Sequence, residues 1–309
     1  MPQSNSLTVV IPYYKRRYFD QTLASLADQE DKSFIVFVGD DRSPEDCSDL
    51  IQKYSCSLTI KYQRYVENMG QRSLVSHWNR CVHDTTSEWV WLFSDDDVAS
   101  TDCVRSFRRS LAETEGRYNI YRFPTKLIDS AGAIIHRPPV PPRIESAEEM
   151  LFARMNGRSS SAVEYIFRRR VFEAENGFVD FPLGWYSDDA SWCSFAGCFG
   201  IYTMKAGEIY WRQSGENLSS SAPENFDKKL LAFSRYLQWV KAKFPDESLQ
   251  RKFRAQIRIW FPKQLHAWGR ATSFRQGLRF WLSFSFFTRR LDLRLLWSLV
   301  HGSSTNRVD

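Results

Sequence analysis

The sequence has little that would place it among secreted, membrane-spanning or disulfide-built proteins. Its six cysteines, Cys47, Cys56, Cys81, Cys103, Cys193 and Cys198, form no Cys-x-x-Cys pair and stand at no zinc-ligand spacing with histidine. Free thiols in a reducing, cytoplasmic setting are the expectation. The opening MPQSNSLTVVIPYY shows neither the basic start nor the long apolar run of a secretory signal. No stretch offers the roughly 18 apolar residues needed to cross a bilayer. Internal repeats are missing too. The first predicted loop, PYYKRRYFD, contains no glycine, which argues against the glycine-rich, lysine-bearing phosphate loop expected of a nucleotidyltransferase.

What is present suits a soluble body. The 309 residues are 43% hydrophobic and 25% charged, enough for one large core and an appendage. The aromatic share is 15%, with much of it beyond residue 230. Net charge is +6, and from Phe226 onward Lys and Arg clearly outnumber Asp and Glu. A basic end attracts phosphates, whether of nucleic acid, anionic lipid or substrate. A basic nucleic-acid-binding protein is the non-enzymatic alternative. No nucleic-acid-binding motif accompanies the charge, and the acidic clusters would repel phosphates unless a metal intervened, so no nucleic-acid partner is expected.

Short apolar runs alternate with helical patterns over the first hundred residues. LTVVI (7–11), FIVFV (34–38), residues 58–65 and WVWLF (89–93) read as strands; residues 19–28, 44–54 and 71–83 read as helices. That order predicts an α/β fold with a mainly parallel sheet covered on both faces. Ligands of such sheets bind beyond the carboxyl ends of the strands. Three of these ends are polar or acidic: Asp40-Asp41, Glu67-Asn68 and Ser94-Asp95-Asp96-Asp97. Further on, a helix is expected over 101–115, a strand in YNIYRF, an extended proline-rich loop in RPPVPPR (137–143), a strand over 161–168, and a helix opening at Asp188-Asp189. After Ser219-Ser220-Ser221 the composition shifts to basic, aromatic helices, Phe226–Phe244 and 249–300. Residues 1–221 are therefore expected to form the catalytic domain and 222–309 a helical extension.

Three adjacent carboxylates repel one another, and the crowding costs stability unless a cation compensates. Hard divalent ions take oxygen ligands and share them with substrate phosphates. A single Asp at this point would read as a helix cap. Three in a row at a strand end favour a site for Mn²⁺ or Mg²⁺.

The chain resembles family 2 glycosyltransferases of the GT-A fold. TVVIPYYKR (8–16) is similar to the family's first strand and turn, FIVFVGDDRSPED (34–46) to its second strand with the Asp-Asp-x-Ser turn, and ENMGQRSLVSHWNRCVHDTTSEWVWLFSDDDV (67–98) to its Asn-x-Gly helix and DxD strand. Together these cover about the first 100 residues, the expected nucleotide-sugar half, with a weaker continuation through an acceptor half to about residue 221. The resemblance implies an inverting, metal-dependent transfer from a nucleotide sugar, a UDP-sugar being favoured, to a glycan or lipid-linked acceptor, with bacterial surface polysaccharide synthesis as the setting. It implies donor contacts from Pro12, Tyr13, Tyr14, Asp41 and Asn68, and places Asp95, Asp96 and Asp97 on the donor and metal, with Asp97 and Asp95 as metal ligands. Ser94 stands where many members carry an Asp, which leaves open which carboxylate of the three touches the ion.

Direct displacement also needs a base near the acceptor hydroxyl. GWYSDDASW (184–192) resembles the family's late acidic pair and points to Asp189, with Asp188 as the alternative; a Ser187 helix cap is the structural reading of the same residues. Arg212, in YWRQSGENLS, is expected to face the diphosphate as a fixed cation. In the tail, Phe280, Trp281, Phe284 and Phe287 recur at helical spacing among Arg275, Arg279, Arg289 and Arg290. Such a helix can lie in a headgroup plane, so membrane-surface contact through 249–300 is expected, peripheral on the inner face of the cell membrane.

Overall fold

The computed structural model describes residues 6–215, 225–268, 274–289 and 291. The apolar runs form strands because they are buried on both faces: β1 (Leu7–Tyr13), β2 (Ile35–Asp40) and β4 (Trp89–Leu92) are almost wholly inaccessible. β3 (Ile60–Arg64) is exposed along most of its length, as its sequence IKYQR allows at a sheet edge. β1 pairs in parallel with both β2 and β4, and β2 with β3. Helices α1 (Phe19–Ala27), α2 (Ser48–Tyr54) and α3 (Leu74–His83) follow β1, β2 and β3 in the chain. This is the predicted parallel half.

Past β4 the sheet becomes mixed. β10 (Tyr165–Arg168) lies antiparallel between β4 and β6 (Ile120–Arg122), followed by β11 (Ile201–Thr203) and β9 (Ile144–Glu145), giving the order β3-β2-β1-β4-β10-β6-β11-β9. A second sheet, β5-β12-β7-β8, joins β5 (Val98–Ala99) to β12 (Ile209–Arg212), β7 (Thr125–Ile128) and β8 (Ile134–His136). β5 starts one residue after the acidic triplet, so β12 is hydrogen-bonded beside the exit of β4. Trp89, Trp91, Phe107 of α4 (Cys103–Glu113), Tyr121 and Phe123 pack edge-on or tilted in the core.

The chain divides into two compact units. The sheet unit comprises residues 1–150, 159–180 and 191–214; the helical unit comprises 151–158, 181–190 and 215–309. Helices α5 (Ala147–Met155) and α7 (Ser187–Ala196) each contribute residues to both, while α6 (Arg169–Ala174) belongs to the sheet unit. The helical unit is thus not only the C-terminal extension: it takes in the segment carrying Asp188 and Asp189.

Within the helical unit, α8 (Phe226–Lys243), α9 (Glu247–Trp268) and α10 (Phe274–Thr288) supply an aromatic core. Here the structure corrects the expected lipid-facing stripe. Phe280, Trp281 and Phe284 are buried, and Phe280 and Phe284 pack on Phe261, which stacks 4.4 Å from Phe233. Helical spacing of aromatics reports a buried face as readily as a membrane face, and packing on α8 and α9 decided it. The exposed apolar residues of this end are Leu282, Phe286 and Leu291, with Lys241 beside the Phe286 ring at 5.5 Å. The serine run 219–221, the side chains of Arg275, Arg279 and Arg290, and residues 292–300 lie outside the described residues. Among the described residues no helix is long and apolar enough to cross a membrane.

Candidate active site

The carboxyl ends of β1, β2 and β4 are laced together by the polar residues the sequence singles out. Because β1 and β4 are parallel neighbours, the segment after β4 returns beside the turn after β1. Asp95 Oδ2 there accepts from the backbone N–H groups of Tyr14 (2.8 Å) and Lys15 (2.7 Å). Ser43 Oγ donates to the Tyr14 carbonyl, and the Ser43 N–H donates to Asp40 Oδ1. Tyr13 is buried with its hydroxyl donating to the Glu45 carbonyl; Tyr14 is 41% exposed, and Pro12 is half-buried between strand and turn. The first turn therefore presents Tyr14 and Lys15 outward while Asp95 braces it from behind.

The three adjacent aspartates have three different surroundings. Asp97 has no exposed surface. Its Oδ1 accepts from the Arg212 N–H at 2.8 Å, its carbonyl accepts from Thr22 Oγ1, and its Oδ2 is buried without a hydrogen-bond partner. Burial, and then the charge of Asp96, push its pKa well above the carboxylate range. Asp96 is half-buried, its carboxyl pushed up to about 7 by burial and by Asp95, with Lys15 and Arg212 pulling the other way. Asp95 is half-buried and raised by burial against the two backbone N–H bonds that lower it.

Arg212 is put to another use than the expected diphosphate contact. It is fully buried: Nε donates to the Asp96 carbonyl (2.8 Å), Nη1 to the Asp129 carbonyl (3.0 Å), Nη2 to Gln21 Oε1 (2.6 Å), and the guanidinium lies 4.3 Å from the Tyr18 ring centroid. It clamps the backbone of the acidic turn rather than offering a cation to solvent.

Asp41, expected on the nucleobase, is also turned inward. Its Oδ1 and Oδ2 accept from the N–H groups of Met69 and Gly70, both at 2.7 Å, and Arg80 Nη2 reaches Oδ1 at 2.5 Å. A Cβ on Gly70 would stand 2.6 Å from Asp41 Oδ2, so the Asn-x-Gly spacing has a steric reason: only glycine lets the loop close onto the carboxylate. Asn68 Oδ1 accepts from the Gln71 N–H and holds the same turn. His77 lies 3.5 Å from Asp41, and burial pushes its pKa down to about 4 against the pull of that charge. Arg80, stacked 3.6 Å from the Tyr65 ring centroid, completes the cluster. His77 and Arg80 lie four and seven residues downstream of α3's Ser73 cap, and no sequence signal gave them a role.

In the helical unit, Asp189 is 2% exposed and both its oxygens accept from Arg154 Nε, at 2.8 and 3.0 Å. Asp188 is half-buried, and its Oδ1 accepts the Asp189 N–H. Ser187 Oγ accepts the Phe181 N–H, closing a loop. Arg154 lies 35 residues before Asp189, too far for any spacing rule to link the two.

Carboxylate oxygens are the donor chemistry a hard divalent ion takes. No group of three His, Cys, Asp and Glu side chains forms a preformed cage among the described residues. Asp95 and Asp96, half-buried at the carboxyl end of β4, are the carboxylates whose oxygens would suit such an ion.

Comparison with known proteins places this geometry. The sequence profile described as Glycosyl transferase family 2 matches residues 8–174, more than half of the chain. Among solved structures, S. aureus TarS 1-349 in complex with UDP-GlcNAc superposes with a TM-score of 0.69 at 17% identity, covering 96% of this chain and 84% of that one. GalNAc-T7 with UDP, GalNAc and Mn²⁺ superposes with a TM-score of 0.52 at 10% identity over 77% of this chain and 48% of that one. No curated protein sequence matches. At these identities the superpositions establish the fold, while the profile establishes the family. The chain belongs to glycosyl transferase family 2, and it is a glycosyltransferase with the GT-A fold.

Proposed function

We propose that the enzyme transfers a sugar from a UDP-sugar to a hydroxyl of a glycan or lipid-linked acceptor, with inversion and with Mn²⁺ or Mg²⁺, in the assembly of a bacterial surface polysaccharide. The observation that carries the donor half is the half-buried Asp96 carboxyl, crowded by Asp95 at the carboxyl end of β4. A divalent cation and a diphosphate brought together would relieve that crowding. The solved TarS and GalNAc-T7 structures contain UDP-GlcNAc, or UDP with Mn²⁺, which favours UDP as the nucleotide. Asp96 and Asp95 are the ligands we assign to the ion; its charge would stabilise the leaving diphosphate. Asp97, buried and bonded to the Arg212 N–H, is the buttress of the turn in this reading, and the outward-facing Lys15 is positioned as a counter-charge for phosphate.

For the acceptor proton the choice lies between Asp188 and Asp189. A carboxylate held by Arg is a poor base, because the cation stabilises its charged form. With Asp189 engaged by Arg154, Asp188 is the oxygen we assign to the proton, and Asp189 fixes it through its N–H. The exposed Leu282, Phe286 and Leu291 with Lys241 and Arg289 are the surface we assign to a membrane.

The direct test is a thermal-shift series of UDP-sugars with and without Mn²⁺. A donor at a hundred times its Kd stabilises the protein by about 2.7 kcal/mol, and the shift should require the metal. Stabilisation by no nucleotide sugar in either condition would remove the donor reading.

A further inference from the structure

Lys229 breaks the pattern of its helix. On α8, Lys229, Phe233 and Tyr236 recur at i, i+4 and i+7, one stripe of the helix. Phe233 and Tyr236 are buried, and so is Lys229, at 1% exposure, where the stripe would ordinarily carry a hydrophobe. Its Nζ has no hydrogen-bond partner among the described residues and lies 4.8 Å from the Trp185 ring centroid. A buried ammonium left without an oxygen partner is costly, and such a group in a native protein calls for a reason.

The segment facing it is strained. Leu183 and Tyr186 both adopt the left-handed conformation, with φ of 63° and 66°, and Gly184 between them has φ of 67°. Non-glycine residues held there cost free energy and persist only where the surroundings enforce them. The Tyr186 ring supplies that enforcement: it stacks 4.8 Å from Tyr236 and contacts Phe233 and Trp260. Anchoring Tyr186 turns its neighbour Trp185 onto Lys229, three residues before Asp188. Two independent features, a strained turn and a buried amino group without a hydrogen-bond partner, thus meet at one tryptophan on the segment that carries the assigned base.

We propose that Trp185 and Lys229 form an acceptor subsite for a polyhydroxyl compound bearing an oxyanion, phosphate or carboxylate, the ammonium taking the anion and the indole the carbon face of the acceptor. The site rests on the glycosyltransferase reading for its role but not for its binding chemistry. Burial of the ammonium strengthens its attraction for an anion that excludes water on entry, and Lys229 acts as a specificity residue distinct from the Asp188 base.

The test is calorimetric titration of glycerol 1-phosphate and glucuronate, with glycerol and glucose as uncharged counterparts, on the full chain saturated with UDP and Mn²⁺, comparing wild type with Lys229→Met. At least one charged compound should bind at least tenfold more tightly than its counterpart. Lys229→Met should erase that preference while melting at the same temperature or higher, because methionine suits a buried stripe. Lys229→Arg should retain the preference. A purely structural lysine would move neither affinity, so equal binding of the charged compounds by wild type and Lys229→Met overturns the proposal, as does the absence of any charge preference in the wild type. If UDP itself fails to bind, the donor reading falls, and the same titration without nucleotide still decides the anion site.

Discussion

The molecule handles crowded carboxylates in two ways. In the sheet unit, Asp95 and Asp97 sit behind a strand end where backbone N–H groups of Tyr14, Lys15 and Arg212 meet their carboxylates. In the helical unit, Asp188 and Asp189 are equally adjacent, yet a side-chain cation, Arg154, neutralises one of them directly. Carboxylates met by backbone N–H groups keep the donor chemistry a divalent cation takes; a carboxylate met by an arginine is a poorer base than its neighbour. The contrast is the ground on which the proposed metal and base roles are divided between the two pairs.

The sharpest way to break the comparison is at Asp96. Asp96→Asn should lower transfer by about a thousandfold, as loss of a main electrostatic stabiliser does, while unfolding temperature holds or rises because a repulsive charge is gone. Asp97→Asn should leave more than a tenth of the activity, since burial favours the neutral form of this carboxyl, which the amide mimics. Steady-state rates over a Mn²⁺ titration measure both; an inactive Asp97→Asn protein with native Asp96→Asn rates would reverse the assignment. The next effect is on the other pair. Asp188→Asn should reduce kcat by about a hundredfold or more with unchanged donor binding. Asp189→Asn should instead strand Arg154 and cost about 3 kcal/mol in a urea melt. If Asp189→Asn is stable and Asp188→Asn active, Arg154 releases Asp189 in the working enzyme and the base is Asp189.

The smallest effect concerns Asp41's neighbour His77, whose folded pKa of about 4 lies below the ordinary 6.5. The unfolded chain then binds the proton more readily, so this contribution is complete above pH 6.5 and is lost as pH falls towards 4. About 2.5 units correspond to at most ~3 kcal/mol. His77→Gln should flatten the stability profile across that window; an unchanged profile would mean the histidine titrates normally.

The strands and the acidic triplet were legible in the sequence because continuous apolar runs and like-charge crowding are local properties. The same holds for Gly70, since Asn-x-Gly marks a tight turn. What the aspartates do individually was not legible. Asp95 braces β1 because β1 and β4 are neighbours, and Asp97 is buried because β12 returns beside β5; both are facts of topology. Arg212 read as a cation for the diphosphate, and the Tyr18–Gln21 segment and Asp129, which hold it inward, are distant from it in the chain. The aromatic stripe of α10 was correctly seen as one face, but periodicity does not say what that face meets. Lys229 was readable in hindsight as the one charged position in an apolar stripe.

Arg212 also bears on how the catalytic half comes into being. The residues that carry every recognisable donor motif end near position 98, yet the carbonyl of Asp96 and the carboxyl of Asp97 are held by a side chain and an amide 116 and 115 positions later. A fragment cut after the acidic triplet would keep its signature and lose its shape. The shape of the acidic turn therefore depends on β12, and a first half expressed alone should not reproduce it.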